Sequence, residues 1–359
     1  MKRIDDLKRK AFEEKDFDGF LITREANMLY FAGFPGAACL LFPKNGENIF
    51  YVYDVNYEQA KAEGKNFKVE LVRRDENLMV KVAAQVKDLG IKKLAFDLLT
   101  YENYCSLAKF LRGKAKLKPQ GRLVWELRKV KTPEELELIR RAGELTCEGM
   151  KTAYEVIRPG IREYEAAAEI EYAMRKKGSW GTAFETIVAS GMRSTYPHGG
   201  CTDKIIREGE LVVIDIGASY RYYRSDMTRT LVAGKQSEKQ KRLYEIVKTA
   251  QQKAVQAIKA KAKAKDIDTA ARKVIEEAGY GEYFVHSLGH GIGLEVHEPP
   301  LLGQHSKDRL MIGNVVTVEP GIYIVGFGGI RIEDMVLVKG RDAEKLTDGW
   351  YTLEATSKF

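Results

Sequence analysis

The sequence predicts two domains, an α/β domain over residues 1–125 and a larger mixed domain over residues 126–359. Three observations carry this. At 359 residues the chain is longer than a typical single domain. Short apolar stretches alternate with helical patterns through the first hundred or so positions. A strong helix start then appears at Thr132-Pro133-Glu134-Glu135: Thr132 can cap, proline suits the first helical position, and Glu135 completes a capping box.

In chain order, residues 4–15 read as an amphipathic opening helix. Gly19–Thr23, Ala37–Phe42 and Asn48–Tyr53 read as strands, with a turn at Pro43–Gly46 between the second and third. Lys93–Asp97 is a further strand, so the first domain is expected to hold a mixed sheet with flanking helices. The helix that opens the second domain places Leu136, Leu138, Ile139 and Ala142 at helical spacing. An internal echo follows. Ile157, a helix through Glu165–Ala168 and Gly178 are answered by Ile258, a helix through Asp268–Ala271 and Gly279. Duplicated halves of this kind are expected to bring residues to one central sheet. The tract Lys259-Ala-Lys-Ala-Lys-Ala-Lys265 is expected to lie toward the C-terminal end of a helix, its lysines spread around the axis and solvated.

Composition excludes several classes. The net charge of +8 arises from 59 basic against 51 acidic residues, a densely charged surface that gives no ground for nucleic-acid binding. No apolar run approaches the roughly 18 residues needed to span a bilayer, and the N-terminus is too charged for a signal peptide. Cys39, Cys105, Cys147 and Cys201 are widely spaced, which fits free thiols in a reducing cytoplasm.

The chemistry gathers in the second domain. Leu211–Gly217 is a buried-strand pattern interrupted by Asp215. A carboxylate there needs a cation, which could be Arg224, Arg229 or a metal. Ser225–Val232 reads as the returning strand of a hairpin that sets Asp226 across from Asp215. His286-Ser-Leu-Gly-His290-Gly-Ile-Gly293 is too rich in glycine for a helix and is expected to be a loop, with His297 shortly after it. Val315–Glu319 alternates into a strand that the Pro320-Gly321 turn ends, which sets Glu319 at the strand end. Gly329–Val338 reads as one strand, with Arg331 and Glu333 sharing a face and Arg331 open to pairing with Glu333. Asp215, Asp226, His290, Glu319 and Glu333 together offer four carboxylates and an imidazole, a donor set that suits paired Mn²⁺, Co²⁺ or Zn²⁺. Two such ions can activate water and polarise a carbonyl, which is hydrolase chemistry.

These motifs in this order, with Val318-Glu-Pro-Gly-Ile-Tyr323 and Gly329-Ile-Arg331-Ile-Glu-Asp334, resemble the pita-bread metallopeptidases. Among these the chain is most similar to the Xaa-Pro peptidases, prolidase and aminopeptidase P. The resemblance covers the whole chain. It implies a creatinase/prolidase-like N-terminal α/β domain and an α+β pita-bread catalytic domain. It implies two divalent metal ions, with Asp215 on one, His290 and Glu319 on the other, and Asp226 and Glu333 bridging. By matched motif Glu319 would also move a proton, His297 would stabilise the reacting carbonyl, and His198 would act on the substrate side. His286, Arg331 and Tyr323 would serve substrate binding, and Phe184 and Tyr196 would shape a proline pocket. The implied substrates are small peptides with proline in second place, and the implied assembly is a homodimer. Two departures stand out. Tyr222 occupies a turn position where relatives often have glycine, and Leu301 stands where many prolidases carry an arginine. The second weakens a dipeptidase against aminopeptidase P. The chain length and compact N-terminal domain nevertheless resemble the small microbial prolidases, so a prolidase-like activity is expected first and aminopeptidase P is its alternative. A broader aminopeptidase or a non-catalytic binding protein on the same fold are the remaining alternatives.

Overall fold

The computed structural model describes residues 2–355, and the chain divides into two compact units, Met1–Arg128 and Lys129–Phe359. In the first unit the expected mixed sheet is present. Its strands are β1 (Gly19–Ile22), β2 (Ala37–Pro43), β3 (Ile49–Tyr53), β4 (Lys68–Val72), β5 (Lys93–Phe96) and β6 (Lys116–Pro119), in the order β4-β3-β2-β1-β5-β6. Strand β1 runs antiparallel to β2 and parallel to β5. Helices α1 (Lys2–Lys8), α2 (Glu25–Ala32), α3 (Tyr57–Glu63), α4 (Leu78–Asp88), α5 (Tyr101–Phe110) and α6 (Gly121–Arg128) complete it. The opening helix differs from expectation: after Lys8 it widens into a π-turn over Arg9–Glu13. Leu21, Leu41, Tyr51, Val82 and Leu94 are among the side chains of one buried core.

The second unit starts with the expected cap. Thr132 Oγ1 accepts from the Glu135 amide at 3.3 Å, and Glu135 Oε2 accepts from the Thr132 amide at 2.8 Å. It opens α7 (Pro133–Val156), followed by α8 (Glu163–Lys176). Further on come α9 (Glu238–Ala257) and α10 (Ala264–Glu277). The internal echo is a true duplication of this helix pair. From 163 to 264 and from 176 to 277, the two ends of α8 recur in α10 with the same shift of 101. An isolated bridge leads into each helix, Arg162 to Ile205 and Lys263 to Arg309.

That duplication overturns the reading of the lysine tract. Residues 259–263 lie in the link between α9 and α10, where Lys261 takes a left-handed φ of 69°, and only its last residues enter α10. Alternating Lys and Ala favour a helix locally, but the extended lead-in that the duplicated unit requires overrides that preference.

The strands of the second unit are β7 (Gly181–Thr182), β8 (Ile187–Ser190), β9 (Leu211–Ile216), β10 (Ala218–Tyr220), β11 (Tyr223–Arg224) and β12 (Met227–Val232) in the first half. The second half contributes β13 (Gly289–Gly291), β14 (Glu298–Leu302), β15 (Val315–Val318), β16 (Gly321–Ile324), β17 (Gly328–Arg331), β18 (Asp334–Val338) and β19 (Ala343–Lys345). They do not merge into one central sheet. Sheet β12-β9-β8 belongs to the first half and β14-β13-β15-β18-β19 to the second. The halves are joined where the Glu333 amide donates to the Thr228 carbonyl at 3.0 Å. Each half has its own core, one against α7 and α8 and the other against α9 and α10.

Three local expectations are corrected. Residues 329–338 form two strands, because the chain leaves its pairing with β16 at Arg331 and rejoins a different sheet at Asp334. The glycine-rich segment holds a short strand, β13, around His290. The turn between β10 and β11 keeps its two-residue form without glycine, with Arg221 (φ 45°) and Tyr222 (φ 72°) both left-handed. Positive φ at both positions is what a tight hairpin turn demands, and the Tyr222 ring packs edge-on against Trp180 with centroids 5.2 Å apart.

Candidate metal centre and peptide cavity

Strand β9 is buried along its whole length, and Asp215 is its penultimate residue. The register sets Thr228 opposite Asp215. Asp226, two residues before Thr228, therefore shares the face of Asp215 as a diagonal neighbour, where direct opposition was expected. His290 reaches the site from β13, which is squeezed between β14 and β15. Glycine is required on both sides of it. A Cβ on Gly289 would lie 2.1 Å from the Thr317 carbonyl oxygen, and one on Gly291 would lie 2.4 Å from that of Pro299. Glu319 follows β15 directly, and Glu333 sits in the gap between β17 and β18.

All five residues line one cavity. Asp226, His290 and Glu333 bring ligand atoms within 4.8 Å of one another. His290 Nε2 lies 3.3 Å from Glu319 Oε1 and 3.8 Å from Asp226 Oδ2. Its Nδ1 lies 3.0 Å from the Gly291 carbonyl oxygen; with the proton on Nδ1, the Nε2 lone pair faces the carboxylates. Asp215 finds its cation in Arg331, whose Nη2 donates to Oδ2 at 2.7 Å. Neither Arg224 nor Arg229 fills that role, and Arg331 is not the ion partner of Glu333. Arg224 bonds main-chain carbonyls, and Arg229 pairs with Asp334.

The donor set fits dications. Asp215 Oδ1, Asp226 Oδ1 and Glu333 Oε1 are buried with no hydrogen-bond donor among the described residues. Orphaned carboxylate oxygens are costly in a protein interior, and bound cations would satisfy them. The electrostatics agree. Burial, then the Glu333 charge, pushes the Asp226 pKa well above the usual carboxylate range, and burial, then Glu319, does the same to Glu333. In the metal-free site burial alone would raise Glu319, but His290 in its protonated form, with Nε2–H donating and its charge alongside, holds it down to about 2.

The cavity encloses about 1140 Å³. His198, His286, His297, Phe184 and Tyr196 line it, as does Arg331. The His297 ring stands 4.2 Å from that of His290, and burial, then His290, lowers its pKa. Tyr323 lies behind the wall, buried. Its hydroxyl accepts from Arg331 Nη1 at 2.8 Å and sits 3.0 Å from His286 Nε2.

Two supporting hydroxyls were not anticipated. Thr228 Oγ1 donates to Glu333 Oε2 at 2.6 Å. Thr317 Oγ1 accepts from the His290 amide at 3.0 Å and bonds Glu319 Oε1 at 3.1 Å. Each lies two residues from a site carboxylate along a strand direction, so period two alone could have found them. Glu298 was also missed. It lines the cavity, and its carboxylate pairs with Lys131 at 3.0 Å, both side chains being almost wholly buried.

Known proteins resemble the chain along nearly its whole length. Residues 137–340 match metallopeptidase family M24, and residues 3–130 match the creatinase/prolidase N-terminal domain. The chain is 42% identical to an Xaa-Pro dipeptidase of Pyrococcus furiosus over 94% of its own length and 95% of the relative. Among solved structures, an Xaa-Pro dipeptidase from Bacillus anthracis superposes with a TM-score of 0.92 at 41% identity, covering 98% of this chain and 99% of that one. An X-Pro aminopeptidase from Thermotoga maritima gives 0.85 at 38% identity, covering 94% and 97%. The chain belongs to metallopeptidase family M24, with a creatinase/prolidase N-terminal domain ahead of its catalytic domain.

Proposed function

We propose that the protein hydrolyses the bond between an N-terminal residue and proline in dipeptides or short peptides. The observation that carries this is the convergence of five donor side chains, three of them with orphaned buried oxygens, at one wall of a peptide-sized cavity. In this reading Asp215, Asp226, His290, Glu319 and Glu333 would together hold two divalent ions. Mn²⁺ or Co²⁺ suits this oxygen-rich set, and Zn²⁺ is tolerated. When bound, the ions lower the pKa of water and take up negative charge from the reacting carbonyl. Glu319, ionised at neutral pH, accepts a proton and passes it to the departing proline nitrogen. His297, neutral because its pKa is lowered, donates to the carbonyl oxygen. His286, Arg331 and Tyr323 form a bonded row beside the cage that orients the substrate. The protein would act as a cytoplasmic homodimer, which light scattering can check for the oligomer. No helix among the described residues is long and apolar enough to cross a membrane.

Metal loading is expected to be coupled to proton release. Asp226 and Glu333 hold protons above the usual range when no cation is present. In the metal-free protein their stabilising contribution is full below the ordinary values of 3.8 and 4.5 and is lost as pH rises through the raised folded values. Chelation should therefore lower the melting temperature more at pH 8 than at pH 5, and calorimetry in buffers of different ionisation enthalpy should register protons leaving as Mn²⁺ binds. Equal effects of chelation at the two pH values would contradict the cage.

A second reading, preference for peptides longer than two residues, is favoured by the charges of the cavity. Arg331 is the sole Arg or Lys among its described lining residues, and that guanidinium is already committed to Asp215 and Tyr323. Glu185 and Asp308 also line it, and Leu301 is half exposed there. A dipeptide would present its free carboxylate to this wall, whereas a longer peptide presents a neutral amide. The deciding experiment compares Ala-Pro with Ala-Pro-Ala in the presence of Mn²⁺. Turnover of either supports the peptidase, the ratio of kcat/KM ranks the two readings, and cleavage of neither defeats both.

A further inference from the structure

We propose that Glu163 is the positioning residue for His198 and thereby sets the affinity of the cavity for its peptide. The inference rests on the peptidase reading above. Glu163 is the first residue of α8 and is fully buried. Its Oε1 accepts from the Ser190 amide and hydroxyl, both at 2.8 Å. Its Oε2 accepts from the Thr202 amide at 3.0 Å and hydroxyl at 2.7 Å, and from Arg193 Nε at 3.0 Å. Ser190 ends β8, and Thr202 closes the loop that carries Tyr196, Pro197 and His198. One carboxylate therefore holds both feet of that loop. Arg193 tightens the closure by donating to the Gly199 carbonyl as well.

His198 itself has no such anchors. It is exposed at the loop tip, lines the cavity, and makes no hydrogen bond among the described residues. Its position is accordingly decided by the loop's feet. The fold uses a similar device on the other histidine loop. The buried carboxylate of Asp268 on α10 accepts from Arg272 at 2.9 Å and from the Leu288 amide at 3.1 Å, and Arg272 Nη2 donates to the His286 carbonyl at 2.9 Å. Only a carboxylate has the acceptor capacity for the donors around Glu163; a carboxamide would turn an N–H₂ group toward one foot and release it. None of the five cage residues belongs to this network, so its loss should move His198 and leave the metals in place.

The test uses the metal-loaded full chain with Glu163→Gln, alone and combined with His198→Ala. Glu163→Gln is expected to raise KM for Ala-Pro or Ala-Pro-Ala by about tenfold or more, with kcat within about threefold and bound metal unchanged. In the His198→Ala background the same change should add less than about twofold, because the two residues act as one unit. Peptide affinity measured by calorimetry on proteins that also carry Glu319→Gln gives the same coupling without turnover. Full additivity of the two losses, or an unaltered KM and peptide affinity, would overturn the proposal. Should Glu163→Gln fail to fold, Thr202→Val removes the hydroxyl that bonds Glu163 at one foot, together with the acceptor of the Lys204 amide, and is expected to raise KM by about threefold with the same dependence on His198. A wild-type protein that cleaves no Xaa-Pro peptide defeats the peptidase reading; if it still binds one, the coupling in affinity decides the role of Glu163 separately, and if it binds none, both fail.

Discussion

Glu319→Gln is expected to lower kcat by about 10²–10⁴-fold, the range for loss of a positioned proton-transfer group, while the protein keeps its metals. Glu319 stands at the end of β15 with its side chain 17% exposed, the route by which a substrate nitrogen can reach it. In the metal-free site a protonated His290 holds its carboxyl down to about 2, and bound dications would act in the same direction, so any proton it accepts at neutral pH is readily passed on. Glutamine preserves the shape and one oxygen donor but cannot carry that proton. Metal content by mass spectrometry, beside the hydrolysis rate of Ala-Pro, separates the two functions of this side chain. Wild-type turnover would end its assignment as proton carrier, and loss of metal together with rate would reduce it to a ligand.

The largest effect on stability is expected from Arg229→Met. Arg229 is fully buried, and its guanidinium bonds Asp334 Oδ1 at 2.9 Å and the carbonyl oxygens of Glu333, Thr228 and Trp350 at 2.7, 2.9 and 3.1 Å. Gln251 and Tyr351 add donors to the other oxygen of Asp334. Removing the arginine leaves a buried carboxylate without its closest cation, a loss of about 3–5 kcal/mol. For a unit of this size that corresponds to a fall in melting temperature of roughly 6–20 °C. Because Arg229 also grips the Glu333 main chain, Mn²⁺ affinity should fall with stability. Replacing both partners, as in Arg229→Met with Asp334→Leu, should recover part of the stability, since no uncompensated charge then remains. A melting temperature unchanged by the single substitution would show the pair to be dispensable.

The sequence made the site legible wherever a local rule was broken by a single residue. Asp215 interrupts an apolar strand, Glu319 ends one, and Arg331 and Glu333 alternate on one face; all four line the cavity. Thr132 and Glu135 announced α7 because a cap is a short-range interaction. The partner of Asp215 was hidden because it lies 116 positions away, and pairing across such a distance leaves no periodic trace. The break at Ile332 and Glu333 was hidden for a related reason. Alternation persists through it, and only the exchange of neighbouring strands shows that pairing stops. The Glu163 network could not be read at all, since its donors are mostly amides and hydroxyls that any loop contains.

On the proposed ligand set, the duplicated halves carry a consequence for how the protein would come to hold its cations. Asp215 and Asp226 belong to the earlier half, while His290, Glu319 and Glu333 belong to the later one. During synthesis on the ribosome the first two carboxylates emerge long before the rest, and two carboxylates by themselves capture a dication poorly in water. Tight capture must await the second half and its docking onto the first. The metals would thus act as an inspection of finished folding, entering only a molecule whose two halves have found each other.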